Sequence, residues 1–188
     1  MPELAAKDAC QLLDGDHIAV KHLFVEYARL ASAAASERLS SAGTTGAEGR
    51  PDGGVDRTAL AMKICDELTV HAQIEEEIFY PALQQAMPDT SGLLEEAQAE
   101  HQEAKEMIAQ IKALGSADEE MDDLVAELNR AVEHHVKEER DELFPKARTA
   151  TGLDLDALGA QMRQRQLELE GELKGEATRV RKTGRAPR

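Results

Sequence analysis

Apolar positions in this chain recur at intervals of three and four rather than two, the period of helices that bury one stripe. The first such stretch starts near Cys10–Asp16 and aligns Leu13, His17, Val20, Phe24 and Ala28. The second, with Thr58 as its N-cap, aligns Leu60, Ile64, Leu68, His71, Glu75 and Ile78. A third aligns Leu94, Ala97, His101, Ala104, Ile108 and Ile111 and stops at Gly115. The fourth, capped by Ser116 or Asp118, aligns Leu128, Ala131, Val132, His135 and Glu139. Between the first two, residues 41–57 hold five glycines and one proline and read as a loop. Residues 153–175 are periodic but polar, which predicts a helix packed on the outside, and the basic residues from 176 onward read as a frayed tail. The pattern predicts an all-α bundle, with residues 1–150 forming the bundle and 151–188 a C-terminal helix and tail.

The bundle is written twice. Asp16-His17 is followed by Lys21, and Glu100-His101 is followed by Lys105 at the same spacing. HAQIEEEIFYP runs from His71 to Pro81 and HVKEERDELFP from His135 to Pro145. Both are eleven residues long, with His first, Glu fifth, an aromatic tenth and Pro last. One helical hairpin therefore occurs in two copies, each supplying one His and then one His-x-x-x-Glu.

Composition narrows the function. The 188 residues carry 22 Lys+Arg against 37 Asp+Glu, a formal net charge of −15. That balance argues against nucleic acid or an anionic membrane as partner, since both call for a cationic face. Trp is absent and aromatics make up 3%, too few for stacking platforms. Cys10 and Cys65 stand far apart, which fits neither a disulfide framework nor a thiolate zinc site. No basic start followed by an apolar run opens the chain, and no segment has the length of a membrane span. The expectation is a soluble cytoplasmic protein, monomeric or homodimeric.

Four histidines and two glutamates then stand out, because each lies in the middle of a stripe that must pack inward. Burying two carboxylates and four imidazoles without partners costs several kcal/mol per ionised group. Cations remove that cost, because metal ligands are deprotonated carboxylates and neutral imidazoles. The competing reading is a buried His–Glu hydrogen-bond network. His134 also has an acid four residues on, but its stripe of Glu127, Arg130, Glu138 and Asp141 is a solvated face; His22, five residues past His17, falls off the core stripe. Six ligands exceed one tetrahedral zinc, and calcium and magnesium want oxygen shells. Imidazole mixed with carboxylate suits two iron ions, with manganese or zinc as substitutes. With both glutamates bridging, each ion takes two His, two carboxylate oxygens and an oxo or hydroxo bridge, and keeps one position open. Tyr27 and Tyr80 read as helix-end packing, Lys21 and Lys105 as stems along the core with solvated ammoniums, and Glu76 as a hydrogen-bond partner of a ligand.

The ordered set of His17, His71-x-x-x-Glu75, His101 and His135-x-x-x-Glu139, with the FYP and LFP helix ends, resembles the hemerythrin-like family, the HHE cation-binding domains. The resemblance spans about residues 10–148. It implies an up-down-up-down four-helix bundle around a non-haem di-iron centre that meets O₂ or related small oxidants. Carried over by position, it assigns His17, His71, Glu75, His101, His135 and Glu139 as metal ligands. Two positions depart from the oxygen carriers of the family: Lys105 stands where they have a second histidine on the third helix, and Arg140 stands where they have an aspartate. The ligand set is closer to bacterial di-iron proteins associated with nitrosative stress and repair of iron centres. The leading expectation is thus a protein that binds or senses O₂. Behind it stand a stress-defence protein acting on NO or peroxide, or repairing or storing iron, and then a metal-free interaction module.

Overall fold

The computed structural model describes residues 7–41 and 52–183. Helix α1 (Ala9–Ser41) opens on a reciprocal cap: Gln11 N–H donates to Asp8 Oδ1 at 2.8 Å, and Asp8 N–H donates to Gln11 Oε1 at 3.2 Å. Helix α2 spans Asp52–Ile74, so residues 52–57, expected in the loop, are helical. Gly53 and Gly54 fall in the first turn, where backbone bonds are not yet required and their propensity cost is least felt. Arg57 one turn later is buried, anchoring this end. Thr58 is consequently no N-cap; its hydroxyl accepts from the Ala117 N–H at 2.9 Å and ties α2 to the opposite turn. The rest of the expected loop, 42–51, lies outside the described residues.

Two wide turns follow the histidine helices. Pro81 and Pro145 have no N–H to give the carbonyl four residues back, and their rings crowd it. The chain relieves this with a π turn just before each proline, Glu75–Phe79 and Glu139–Leu143. Tyr80 N–H bonds the Glu75 carbonyl and Phe144 N–H bonds that of Glu139, five residues apart in both cases. The rods then continue as α3 (Tyr80–Ala86) and α6 (Phe144–Thr149). Between them lie α4 (Ser91–Leu114), which ends at Gly115 with φ 69°, and α5 (Glu119–Glu138), capped by Asp118 accepting from the Met121 N–H. The architecture is all-α and up-down-up-down, and no strand occurs among the described residues.

Helix α7 (Leu155–Thr183) lies on the outside against α1, α2 and the first π turn. It passes Gly175 without stopping, and residues 184–188 of the tail lie outside the described residues. Its Gly159 is needed for the approach: a Cβ there would lie 2.5 Å from the Lys7 carbonyl oxygen. No helix among the described residues is long and apolar enough to cross a membrane.

The core is two apolar clusters with a polar layer between them. One contains Leu13, Ile74, Phe79, Tyr80, Ala97, Leu143 and Phe144; the other Val20, Phe24, Ile64, Leu68, Ile108 and Leu128. Along every bundle helix the histidine sits where one cluster gives way to the other.

Candidate metal centre

In that layer α1 and α2 bring His17 Nε2 and His71 Nε2 to 3.0 Å, and α4 and α5 bring His101 Nε2 and His135 Nε2 to 3.1 Å. Glu75 Oε2 lies 3.3 Å from both His71 Nε2 and His101 Nε2. Glu139 Oε2 lies 3.3 Å from His17 Nε2 and 3.7 Å from His135 Nε2. Each glutamate therefore touches both imidazole pairs. All six side chains are buried, the two glutamates completely. Their donor atoms form two overlapping groups, His17/His71/Glu75/Glu139 and Glu75/His101/His135, each within a span of 4.8 Å.

The polar atoms of this layer do not satisfy one another. His101 Nδ1 meets Glu76 Oε1 at 2.9 Å and His135 Nδ1 meets Glu100 Oε2 at 2.8 Å. A carboxylate only accepts, so both Nδ1 atoms carry hydrogen, and the two Nε2 atoms are left facing each other across the cage. At 3.1 Å the two Nε2 atoms repel unless a proton or a metal cation lies between them. Glu75 Oε1 and Glu139 Oε2 are likewise buried without a hydrogen-bond partner among the described residues. Burial holds His17 neutral, lowering its pKa to about 4. Burial and the neighbouring Glu139 push Glu75 well above the carboxylate range. Burial opposes ionisation of Glu139 too, but the His17 ring 3.3 Å away and the charges of His135 and His71 outweigh it and hold Glu139 to about 2. Four imidazoles converging on a carboxylate pair that cannot both ionise alone form a donor set suited to cations.

The sequence profile described as Hemerythrin HHE cation binding domain matches residues 8–147, three quarters of the chain. The chain belongs to the hemerythrin HHE cation-binding domain family. A crystal structure of a hemerythrin HHE cation-binding domain-containing protein from Mycobacterium kansasii shares this fold at a TM-score of 0.64, with 21% identity over 95% of both chains. A DNA nickase of Nostoc sp. (strain PCC 7120 / SAG 25.82 / UTEX 2576) is 35% identical over 86 residues. That match takes in 46% of this chain and only 24% of the nickase.

This HHE bundle keeps a small apolar cavity of about 40 Å³ against all four imidazoles, walled by Val20, Leu68, Ile108 and Val132. It lies on the side of the second apolar cluster. On the other side stands a residue that helical periodicity misplaces. Tyr80, expected to pack at a helix end, donates its hydroxyl to Glu139 Oε1 at 3.1 Å and lies 3.4 Å from both Glu75 Oε2 and His101 Nε2. The π turn is the cause: one extra residue in the turn rotates everything after it by about 100° and brings Tyr80 over Glu75. Proline at the eleventh position of each repeat was the sequence signal for that turn. Burial, then the charges of Glu75 and Glu139, push the Tyr80 phenol far above its usual range, so it remains a donor.

The dipeptides Asp16-His17 and Glu100-His101 prove to divide their labour across a hairpin. In each, the histidine faces the centre and the acid approaches the outer nitrogen of the partner helix's histidine: Glu100 that of His135, and Asp16 that of His71 at 3.6 Å. Lys105 grips both oxygens of Glu76 at 2.7 Å rather than lying free in solvent, while Lys21 and His22 are exposed. Tyr27 is far from the centre and donates to Asp122. His134 is exposed, as its stripe implied, with Glu100 and Glu138 beside it.

Proposed function

We propose that this HHE domain is a di-iron protein that binds or senses O₂ or a related small oxidant, with His17, His71, Glu75, His101, His135 and Glu139 as the ligands. The observation that carries the reading is the buried cage in which His101 and His135 turn their Nε2 atoms toward each other at 3.1 Å, beside carboxylate oxygens with no hydrogen-bond partner among the described residues. His17 and His71 would hold one ion, His101 and His135 the other, and the two glutamates would reach both; manganese or zinc would fit the same donors. Iron so held supplies an open coordination position and reversible electron transfer to a small ligand.

The chain's own residues supply the rest. Glu139 arrives ionised, whereas Glu75 must release a proton when cations enter. Val20, Leu68, Ile108 and Val132 exclude bulk water and leave room for molecules of a few atoms, which favours O₂, NO or peroxide over an organic substrate. The free, buried Cys10 and Cys65 support a reducing, cytoplasmic setting.

Tyr80 favours a second reading, stress defence against peroxide or NO. A phenol within hydrogen-bond reach of the carboxylates can supply a proton, or an electron with it, to chemistry at the centre.

The deciding experiment is anaerobic reconstitution with ferrous iron, elemental analysis, and absorption spectra before and after air. Two irons per chain and a new visible band on oxygenation support the proposal. Well under one iron per chain, or a spectrum indifferent to oxygen, NO and peroxide, overturns it.

A further inference from the structure

The two halves of the cage are copies in sequence but differ in what stands behind the ligands. In the His101/His135 half, each Nδ1 is held by a carboxylate, Glu76 at 2.9 Å and Glu100 at 2.8 Å. Glu76 is itself clamped by Lys105. In the His17/His71 half neither Nδ1 has a hydrogen-bond partner among the described residues, although both are buried.

Two substitutions within the repeat cause this. Glu76 follows Glu75, but the residue that follows Glu139 is Arg140, which turns away to Asp14 at 2.6 Å. His17 consequently loses the acid that its counterpart His101 has. Asp16 stands where the other hairpin has Glu100, and its side chain is one methylene shorter. Asp16 Oδ2 stops 3.6 Å from His71 Nδ1 and instead accepts from Gln166 Nε2 of α7 at 3.1 Å. The stacking partners differ as well: Tyr80 lies on His101 and Phe144 on His17.

We propose that the two metal positions are unequal by construction: His101 and His135 take the first cation, while the His17/His71 position fills second and empties first. This rests on the metal reading above and deepens it. A carboxylate on Nδ1–H fixes the tautomer that leaves Nε2 free and raises its basicity, and loss of such a partner costs about 10–100-fold in metal affinity. With two such partners on one side and none within hydrogen-bond range on the other, the stepwise association constants differ by at least that factor. The protein then has one resident ion and one exchangeable ion, and the exchangeable position is the one that α7 reaches through Gln166 and Asp16.

The test is titration of the metal-free full chain with diamagnetic Zn²⁺, followed by calorimetry and by the ring ¹⁵N signals of the histidines. Two steps separated by about tenfold or more are expected. The first equivalent should move the rings of His101 and His135, and the second those of His17 and His71. Glu76→Gln should weaken the first step by about 10–100-fold and draw the two steps together. Arg140→Glu, which gives His17 the acid that His101 has, should tighten the second step. Two ions bound in one step with all four rings responding together, or His17 and His71 responding first, overturns the inference and leaves the metal reading intact. Absence of bound zinc overturns both.

Discussion

Tyr80 and Phe144 occupy corresponding places in the two hairpins, one residue beyond matching π turns, and only Tyr80 carries a hydroxyl, which donates to Glu139 Oε1 at 3.1 Å. Tyr80→Phe makes the two halves alike at this point. Metal content should stay unchanged, and the loss of one neutral-to-charged hydrogen bond should lower stability by about 1–3 kcal/mol. The variant also separates the two functional readings. If the phenol feeds a proton to peroxide chemistry, turnover of peroxide by the iron-loaded protein should fall by about 100-fold or more. If the domain only binds or senses its ligand, the oxygenated spectrum and its decay should survive the substitution.

Removing the metal should destabilise the fold by mass action. Each cation at about 100 times its dissociation constant adds about 2.7 kcal/mol to the folded state. For a chain of this size that is about 5–10 °C in Tm per bound ion. Thermal unfolding followed by circular dichroism, with and without prior chelation, should show that difference, and readdition of ferrous iron should reverse it. Equal melting curves would leave only a metal-free helical module.

Glu75→Gln should act in opposite directions with and without metal. In the ion-free protein burial and Glu139 raise the Glu75 pKa, so above the ordinary carboxylate value the unfolded chain releases a proton that the folded chain retains. The unfolded state then binds fewer protons, and stability falls as pH rises through that window. A neutral amide removes the penalty. Ion-free Glu75→Gln should match or exceed ion-free wild type at pH 7, by on the order of 1 kcal/mol, with a flatter dependence on pH. It should also lose at least one bound metal per chain. Denaturant melts of both ion-free proteins between pH 5 and 8, with elemental analysis of the loaded forms, check both halves.

What could be read from the sequence follows from which periods it obeys. His17, His71, Glu75, His101, His135 and Glu139 sit on straight α-helical stripes, so the three- and four-residue spacing was enough to select them, and the structure brings all six together. Tyr80 escaped because Pro81 forces a π turn, and the 3.6-residue period fails across it. The roles of Asp16 and Glu100 escaped for a different reason. Each points at a histidine of the neighbouring helix, Glu100 bonding it and Asp16 stopping 3.6 Å away, and a single-helix projection contains no information about that pairing. The start of α2 was placed late because Gly53 and Gly54 read as loop, whereas the burial of Arg57, a tertiary effect, carries the helix back to Asp52.

Cys10 and Cys65 should be inert in the native protein. Burial raises both thiols to about 11, so almost no thiolate exists at neutral pH. Labelling by a disulfide reagent at pH 8 should proceed at the rate of unfolding, with two thiols reacting per chain only after denaturant is added. Rapid labelling of either cysteine under native conditions would contradict the complete burial of both side chains.

Far from the centre, the bundle is closed by a buried charge. Arg57, 4% exposed, places Nη1 at 2.7 and 2.6 Å from the two oxygens of Asp122 and Nη2 at 3.2 Å from the Ala117 carbonyl. The Tyr27 hydroxyl donates to the same Asp122 at 2.9 Å. This joins α1, α2, α5 and the α4–α5 turn at the end where α2 begins. Arg57→Ala leaves Asp122 with Tyr27 and the more distant Arg38, and removes a side chain that fills the interior. The cost should be about 3–5 kcal/mol, as for breaking a buried pair by removing one partner. Arg57→Lys should recover only part of it, because an ammonium cannot hold both carboxylate oxygens and the Ala117 carbonyl in one plane. Both variants should still load metal at the concentrations that saturate the wild type, since the latch lies across the second apolar cluster from the cage. Loss of metal binding in a folded Arg57→Lys protein would show that the two ends of the bundle are energetically coupled.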